Sequence, residues 1–237
     1  MKREDRIAKS AKIRRLFVLS VFLLVLPVKA LATEPVPLSE YGKLPEVERA
    51  ALSPSGDRTA LVTTIEGQRV LITMNKGESS LLSATQVEDM KVCSIEWVDE
   101  QRLLLIASTT IDLPAGFATD KYETTIGQII PVEGTEGGGL IFGNNERYYV
   151  GIMGRYGVRT ISGEPYGFFG GIELQRNPGR GPRWVFDHGR PNLFKVNLAN
   201  FEVTKLDRSA FSGASKDWVI DAQGEIAFTL DRNDDSG

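Results

Sequence analysis

Hairpin turns recurring at even spacing constrain this chain more than any other feature of its sequence. Short apolar runs rich in Val, Ile, Leu, Phe and Thr are punctuated by Gly, Asn, Asp and Pro, the pattern of half-buried strands joined by tight turns. The first hairpin reads Arg49 to Ser53, the turn Pro54-Ser55-Gly56-Asp57, then Thr59 to Thr63. Ser94 to Val98 turns through Asp99-Glu100-Gln101 into Leu103 to Ser108, and Leu140 to Phe142 turns through Gly143-Asn144-Asn145 into Tyr148 to Met153. Gly56, Glu100 and Asn144 are thus 44 residues apart in succession. Third strands are expected at Arg69 to Met74 and Gly127 to Val132. An outer hairpin is expected over Leu193 to Leu198 and Phe201 to Leu206, and a further unit opens with Trp218 to Ile220 and Ile226 to Leu230. Four strands per unit at this period read as a β-propeller.

The expected fold is therefore all-β, a partial (truncated) β-propeller of about three to four blades. The turn near Gln223 lies 79 residues beyond Asn144, one period plus an insertion, which is placed at residues 154–190. Residues 33–48 read as an extended lead-in with a short helical turn over Pro45 to Ala50, and residues 49–237 as the incomplete propeller. A β-sandwich uses similar hairpins without the period and stays open as the alternative. The chain stops at Gly237 inside a hairpin, so a truncated product, or the N-terminal piece of a longer protein, is expected. An open arc leaves edge strands bare, and self-association through them is expected.

The first 32 residues are read as a leader and not as fold. Lys2, Arg3, Arg6, Lys9, Lys12, Arg14 and Arg15 precede the 11-residue apolar run Leu16 to Leu26, too short to cross a bilayer. Ala30 and Ala32 supply the small-x-small signal that a signal peptidase accepts, so cleavage is expected after Ala32. The expected location is the bacterial periplasm, with membrane attachment only through an uncleaved leader. Residues 33–237 then hold 20 basic and 29 acidic side chains, a balance that argues against nucleic acid as a partner. With one Cys and one His in the chain, disulfide frameworks and Cys- or His-rich metal centres are excluded, and no cofactor is expected. Cys93 is expected to be a buried core thiol, and Trp97, Trp184 and Trp218 are expected to pack in the core.

Several of these strings resemble one family. Tyr41 to Val62, with its Leu44-Pro45 lead-in and Ser53-Pro54-Ser55-Gly56 turn, is similar to the start of the propeller in exported prolyl-oligopeptidase-like serine peptidases of the dipeptidyl-aminopeptidase type. There the turn is usually Ser-Pro-Asp-Gly, so Ser55 departs from it. Ile95 to Asp99 leading into Leu103 resembles the family's Trp-containing inner hairpin. Leu193 to Leu198 with Glu202-Val203-Thr204, and Asp217 to Asp221 with Gly224 to Ala227, resemble later hairpins. The likeness covers about residues 40–110 and 190–237. It implies a propeller that gates peptide access to an α/β-hydrolase domain whose serine sits on a Gly-x-Ser-x-Gly elbow.

This chain has no such elbow. Its nearest string, Ser212-Gly213-Ala214-Ser215-Lys216, lacks the second Gly and lies between β-hairpins. The chain alone is expected to be inactive, leaving two readings: a non-catalytic propeller fragment of such a peptidase, or a stand-alone periplasmic propeller that binds a protein or ligand. Arg176, Arg180, Arg183 and Arg190 are the candidate substrate contacts, because a guanidinium offers a planar fork to a carboxylate. His188 is read as a loop residue, and Gly137-Gly138-Gly139 lacks the Lys-Ser/Thr of a phosphate loop. Asp231, Asn233 and Asp235 alternate as in a calcium loop but lack its Gly and bidentate Glu, so a hairpin turn is expected there.

Overall fold

The structure is a computed structural model that describes residues 37, 38, 42, 46–77, 80–87, 90–112, 121–134, 136–176, 184–186 and 188–233. The chain divides into Met1–Lys43 and Leu44–Gly237, and every strand belongs to the second unit. The leader, with Ala30 and Ala32, lies outside the described residues.

Among the described residues, three antiparallel four-stranded sheets and two two-stranded ones, the first of these inserted in the third sheet, follow one another along the chain. The first comprises β1 (Val47–Leu52), β2 (Arg58–Ile65), β3 (Gln68–Asn75) and β4 (Leu81–Gln86), hydrogen-bonded in chain order. The second repeats this with β5 (Lys91–Trp97), β6 (Arg102–Asp112), β7 (Lys121–Pro131) and β8 (Gly139–Leu140). The third contains β9 (Gly154–Ile161), β10 (Glu164–Gly171), β13 (Asn192–Asn197) and β14 (Val203–Asp207). Its middle connection carries a small hairpin, β11 (Leu174–Arg176) with β12 (Trp184–Phe186). β15 (Ala214–Ile220) and β16 (Ile226–Asn233) form the start of a fourth.

Turn chemistry sets these hairpins. Glu66-Gly67 and Ser162-Gly163 both hold two consecutive positive φ angles, the primed turn whose twist matches the flanking strands. At Gly56, φ is +79° and its amide donates to the Ser53 carbonyl at 2.9 Å, closing the Ser-Pro-Ser-Gly turn. Asp221 Oδ1 accepts from the Gln223 and Glu225 amides, shaping the β15–β16 turn.

Alternate residues of one strand pack against opposite neighbours, which makes the sheets blades. On β6, Leu103, Leu105 and Ala107 join Ala60, Val62 and Leu71 between the first and second sheets. Leu104 and Ile106 point the other way and meet Phe169, Phe194 and Val196 between the second and third. On β10 and β13, Phe168 and Leu193 continue the pattern against Trp218 and Ile220 of the fourth. The middle sheets are buried on both faces, so the near-continuous apolar runs of β6 and β10 are what two-sided burial demands.

Arginines tie the first strands of successive sheets side by side. Arg49 on β1 donates to the Cys93 carbonyl on β5 at 3.1 Å. Arg155 on β9 pairs with Glu96 and donates to Ser94 Oγ on β5, and Arg159 on β9 donates to the Ile220 and Asp221 carbonyls at 3.0 and 2.9 Å. The inner turns meet as well, because Glu100 accepts from the Ser55 amide at 2.7 Å while its carbonyl accepts from Arg58. Burial alone would raise the Glu100 carboxyl. The Ser55 amide, the Ser53 and Ser55 hydroxyls and the Arg58 charge outweigh it and hold the group low. This is a partial β-propeller: blades packed face to face with their first strands adjacent.

Several expectations are corrected. The strand β1 starts at Val47, where a helical turn was expected over Pro45 to Ala50. No hairpin turns at Asn144: residues 141–144 form a turn after β8, with Phe142 at φ +65°, and the third inner hairpin turns at Ser162-Gly163. β9 and β10, expected within an insertion at 154–190, are regular blade strands, so only the segment between β10 and β13 departs from the meander. Cys93 is exposed and not a core thiol, because the β5–β6 register shifts between Val92 and Ser94 and leaves it unpaired and turned outward. Asp231 and Asn233 are strand residues opposite Lys216 and Ala214, not a turn, and Asp235 lies outside the described residues. Trp97 and Trp218 are buried as expected; the Trp184 side chain lies outside the described residues.

Candidate functional site

The segment between β10 and β13 is stitched down at its start. Tyr148 and Glu173 form an antiparallel bridge, flanked by Tyr149 N to Ile172 O at 2.9 Å and Leu174 N to Arg147 O at 2.7 Å. Beneath this bridge Tyr148 packs against Phe142 and Phe194, with ring centroids 5.7 and 5.2 Å away. The packing fixes the backbone of residue 173 and so aims its carboxylate.

A cleft of about 710 Å³ opens beside that carboxylate. Arg147, Arg176, Lys205 and Arg208 line it, drawn from the loop before β9, from β11, from β14 and from the loop after β14. Arg147 Nε donates to Glu173 Oε1 at 2.7 Å, and Lys205 pairs with Oε2. Burial pushes the Glu173 carboxyl up, but hydrogen bonds from Lys205 and Arg147 and their charges more than offset this and keep it ionised.

His188, Asn192 and Ser209 close another wall. Asn192 Oδ1 accepts from the Ser209 amide at 2.9 Å, and Ser209 Oγ lies 3.4 Å from His188 Nε2. The Arg190 amide donates to His188 Nδ1 at 3.3 Å.

The sequence candidates part company. Arg176 lines the cleft. Arg190 directs its guanidinium to the Ala210 carbonyl at 2.9 Å, tying the lead-in of β13 to the loop before β15. Arg180 and Arg183 lie outside the described residues. Arg147, Glu173, Lys205 and Arg208 escape sequence reasoning because four separate segments bring them together. Among the described residues no group of three or more His, Cys, Asp or Glu side chains is placed to hold a metal ion, and no helix is long and apolar enough to cross a membrane.

No protein-family model and no curated protein matches the chain. Among solved structures, an acylaminoacyl peptidase in complex with Z-Gly-Gly-Phe-chloromethyl ketone is similar at 16% identity and a TM-score of 0.40. The match covers 70% of this chain and 25% of that one. Hydrazine synthase from Kuenenia stuttgartiensis is similar at 13% identity and a TM-score of 0.33, over 67% of this chain and 58% of that one. This chain thus spans about a quarter of the peptidase structure's length. Both are likenesses of form at low identity; the propeller architecture stands on the chain's own sheet order and two-faced packing.

Proposed function

We propose that this chain is the non-catalytic propeller portion of an exported prolyl-oligopeptidase-like serine peptidase. In that role its blades govern which peptides reach a nucleophile carried on a separate α/β-hydrolase domain. The observation that carries the reading is the joining of the first strands β1, β5, β9 and β15 by Arg49, Arg155 and Arg159. Blades joined along their first strands surround a central channel in a closed propeller, the passage this reading requires. The Ser53-Pro54-Ser55-Gly56 turn, held to the next blade through Glu100, adds a turn that resembles the family's, with Ser55 in place of Asp, at the joint between the first two blades. Export would follow cleavage of the leader after Ala32.

A stand-alone exported propeller that binds a ligand is the second reading, favoured by the ligand-sized cleft at Glu173, which needs no hydrolase to be of use. Labelling with a fluorophosphonate serine-hydrolase probe separates the two. The 237-residue chain is expected to stay unlabelled, while a longer product of the same reading frame labels. Labelling of the chain itself would overturn the assignment, and a native product that contains these blades and never labels would leave the binding module.

A further inference from the structure

We propose that the cleft at Glu173 is a carboxylate site whose ligand is the free C-terminal end of a peptide. The choice of a peptide rests on the peptide-gating reading; the choice of a carboxylate rests on the cleft alone. Among the described residues, Arg147, Arg176, Lys205 and Arg208 line this cleft with one carboxylate, that of Glu173. They gather on a chain whose residues 33–237 carry an excess of acid, so the cleft is a local reversal of sign that draws anions in.

Glu173 is shared by Arg147 and Lys205 and leaves Arg208 to other partners. Both of its oxygens are engaged, one by Arg147 and one by Lys205, which fixes those two side chains in place before any ligand arrives. Arg208 is different. Its backbone amide is anchored on Asp207 Oδ1 at 2.8 Å, and its exposed guanidinium has no hydrogen-bond or ion-pair partner among the described residues. It presents a planar fork of donors, the geometry that a carboxylate fills with two parallel bonds. Gln175 supplies an amide to the same space, which suits a peptide backbone behind the carboxylate, and the volume exceeds what a bare inorganic ion needs.

The test is calorimetric titration of the full chain with trialanine, with its C-terminal amide, and with inorganic phosphate. The free acid is expected to bind, and the amide at least about tenfold more weakly, because a charge-assisted pair is lost. Arg208→Ala should reproduce that loss of about tenfold with an unchanged thermal melt, since the side chain is exposed. Arg208→Lys should recover only part of it, a point charge being no substitute for the fork. Equal binding of acid and amide, no binding of either, indifference to Arg208→Ala, or displacement of the peptide by phosphate at comparable concentration would each overturn the proposal. These outcomes are independent of fluorophosphonate labelling, so the carboxylate site and the peptidase reading fail separately.

Discussion

Leu103 and Leu104 are neighbours on β6, and both are fully buried, yet they serve different interfaces. Leu103 packs toward the first sheet and Leu104 toward the third. Replacing either by Ala removes buried methyl groups and leaves a cavity that rigid flanking strands close poorly, at a cost of about 3 kcal/mol. For a unit of this size each kcal/mol lowers the melting temperature by about 2–4 °C, so Leu103→Ala and Leu104→Ala should each lower it by about 6–12 °C. Circular dichroism melts, supported by urea titrations with an unchanged slope, give the readout. A sheet with one solvated face behaves otherwise, because one of two adjacent residues must then point outward and its truncation costs about 0.5 kcal/mol or less. If either variant melts within about 2 °C of the parent, the two-faced packing that defines these blades is wrong.

Other consequences follow from single residues. Gly224 has φ +83°, and a Cβ there would lie 2.4 Å from Ile161 Cδ1, whereas Gly67 has the same φ with open space around it. Gly224→Ala should therefore cost about 2–3 kcal/mol against about 1 kcal/mol for Gly67→Ala in chemical denaturation; equal losses would contradict the close approach of the fourth sheet to the third. Glu48, Glu100, Glu173 and Asp207 are all held below their ordinary values, the first by its bidentate pair with Arg69. Lowered folded-state values mean that the unfolded chain binds more protons in acid. The stability these groups contribute is present above their ordinary values and is lost as pH falls through the folded ones. Urea midpoints should hold steady above about pH 5.5 and fall below about pH 4.5, and a midpoint unchanged to about pH 3 would refute it. Phe228 and Leu230 sit exposed on β16, at 54% and 58%, beside Val219. If the chain self-associates, Phe228→Lys should lower the sedimentation coefficient toward that of a monomer, and an unaffected oligomer would place the contact elsewhere.

How much of this was legible in the sequence depended on the range of the forces involved. Local turn chemistry was readable: the Ser53 to Gly56 and Asp221 to Gly224 turns, and the strands they join, stand where their residues put them. The third inner hairpin lies away from its expected turn because the apolar pair Ile141-Phe142 imitates a strand. Its side chains fill the gap between the second and third sheets from a turn instead. Ser162-Gly163 carried the missed signal, a dipeptide suited to positive φ between alternating residues. The apolar neighbourhood of Cys93 predicts burial, but a bulge decides which face the residue takes. The cleft was the least legible feature. Of its cations only Arg176 is a sequence candidate, since Arg147, Glu173, Lys205 and Arg208 become neighbours only after β14 folds back beside β13 and the Tyr148–Glu173 bridge closes.

In this fold the first strands of successive sheets lie side by side, with β5 between β1 and β9. Cys93 on β5 is the chain's one cysteine and is exposed, so it serves as a fixed anchor for cross-linking. Arg49→Cys places a second thiol on β1 and Arg155→Cys one on β9, on side chains that reach the Cys93 carbonyl and Ser94 in the native chain. Treatment of each variant with a short bismaleimide, followed by peptide mass spectrometry, should recover an intrachain cross-link to Cys93 in both. A cross-link in one variant and not the other, or in neither, would mean that these sheets are not arranged as blades sharing an inner edge.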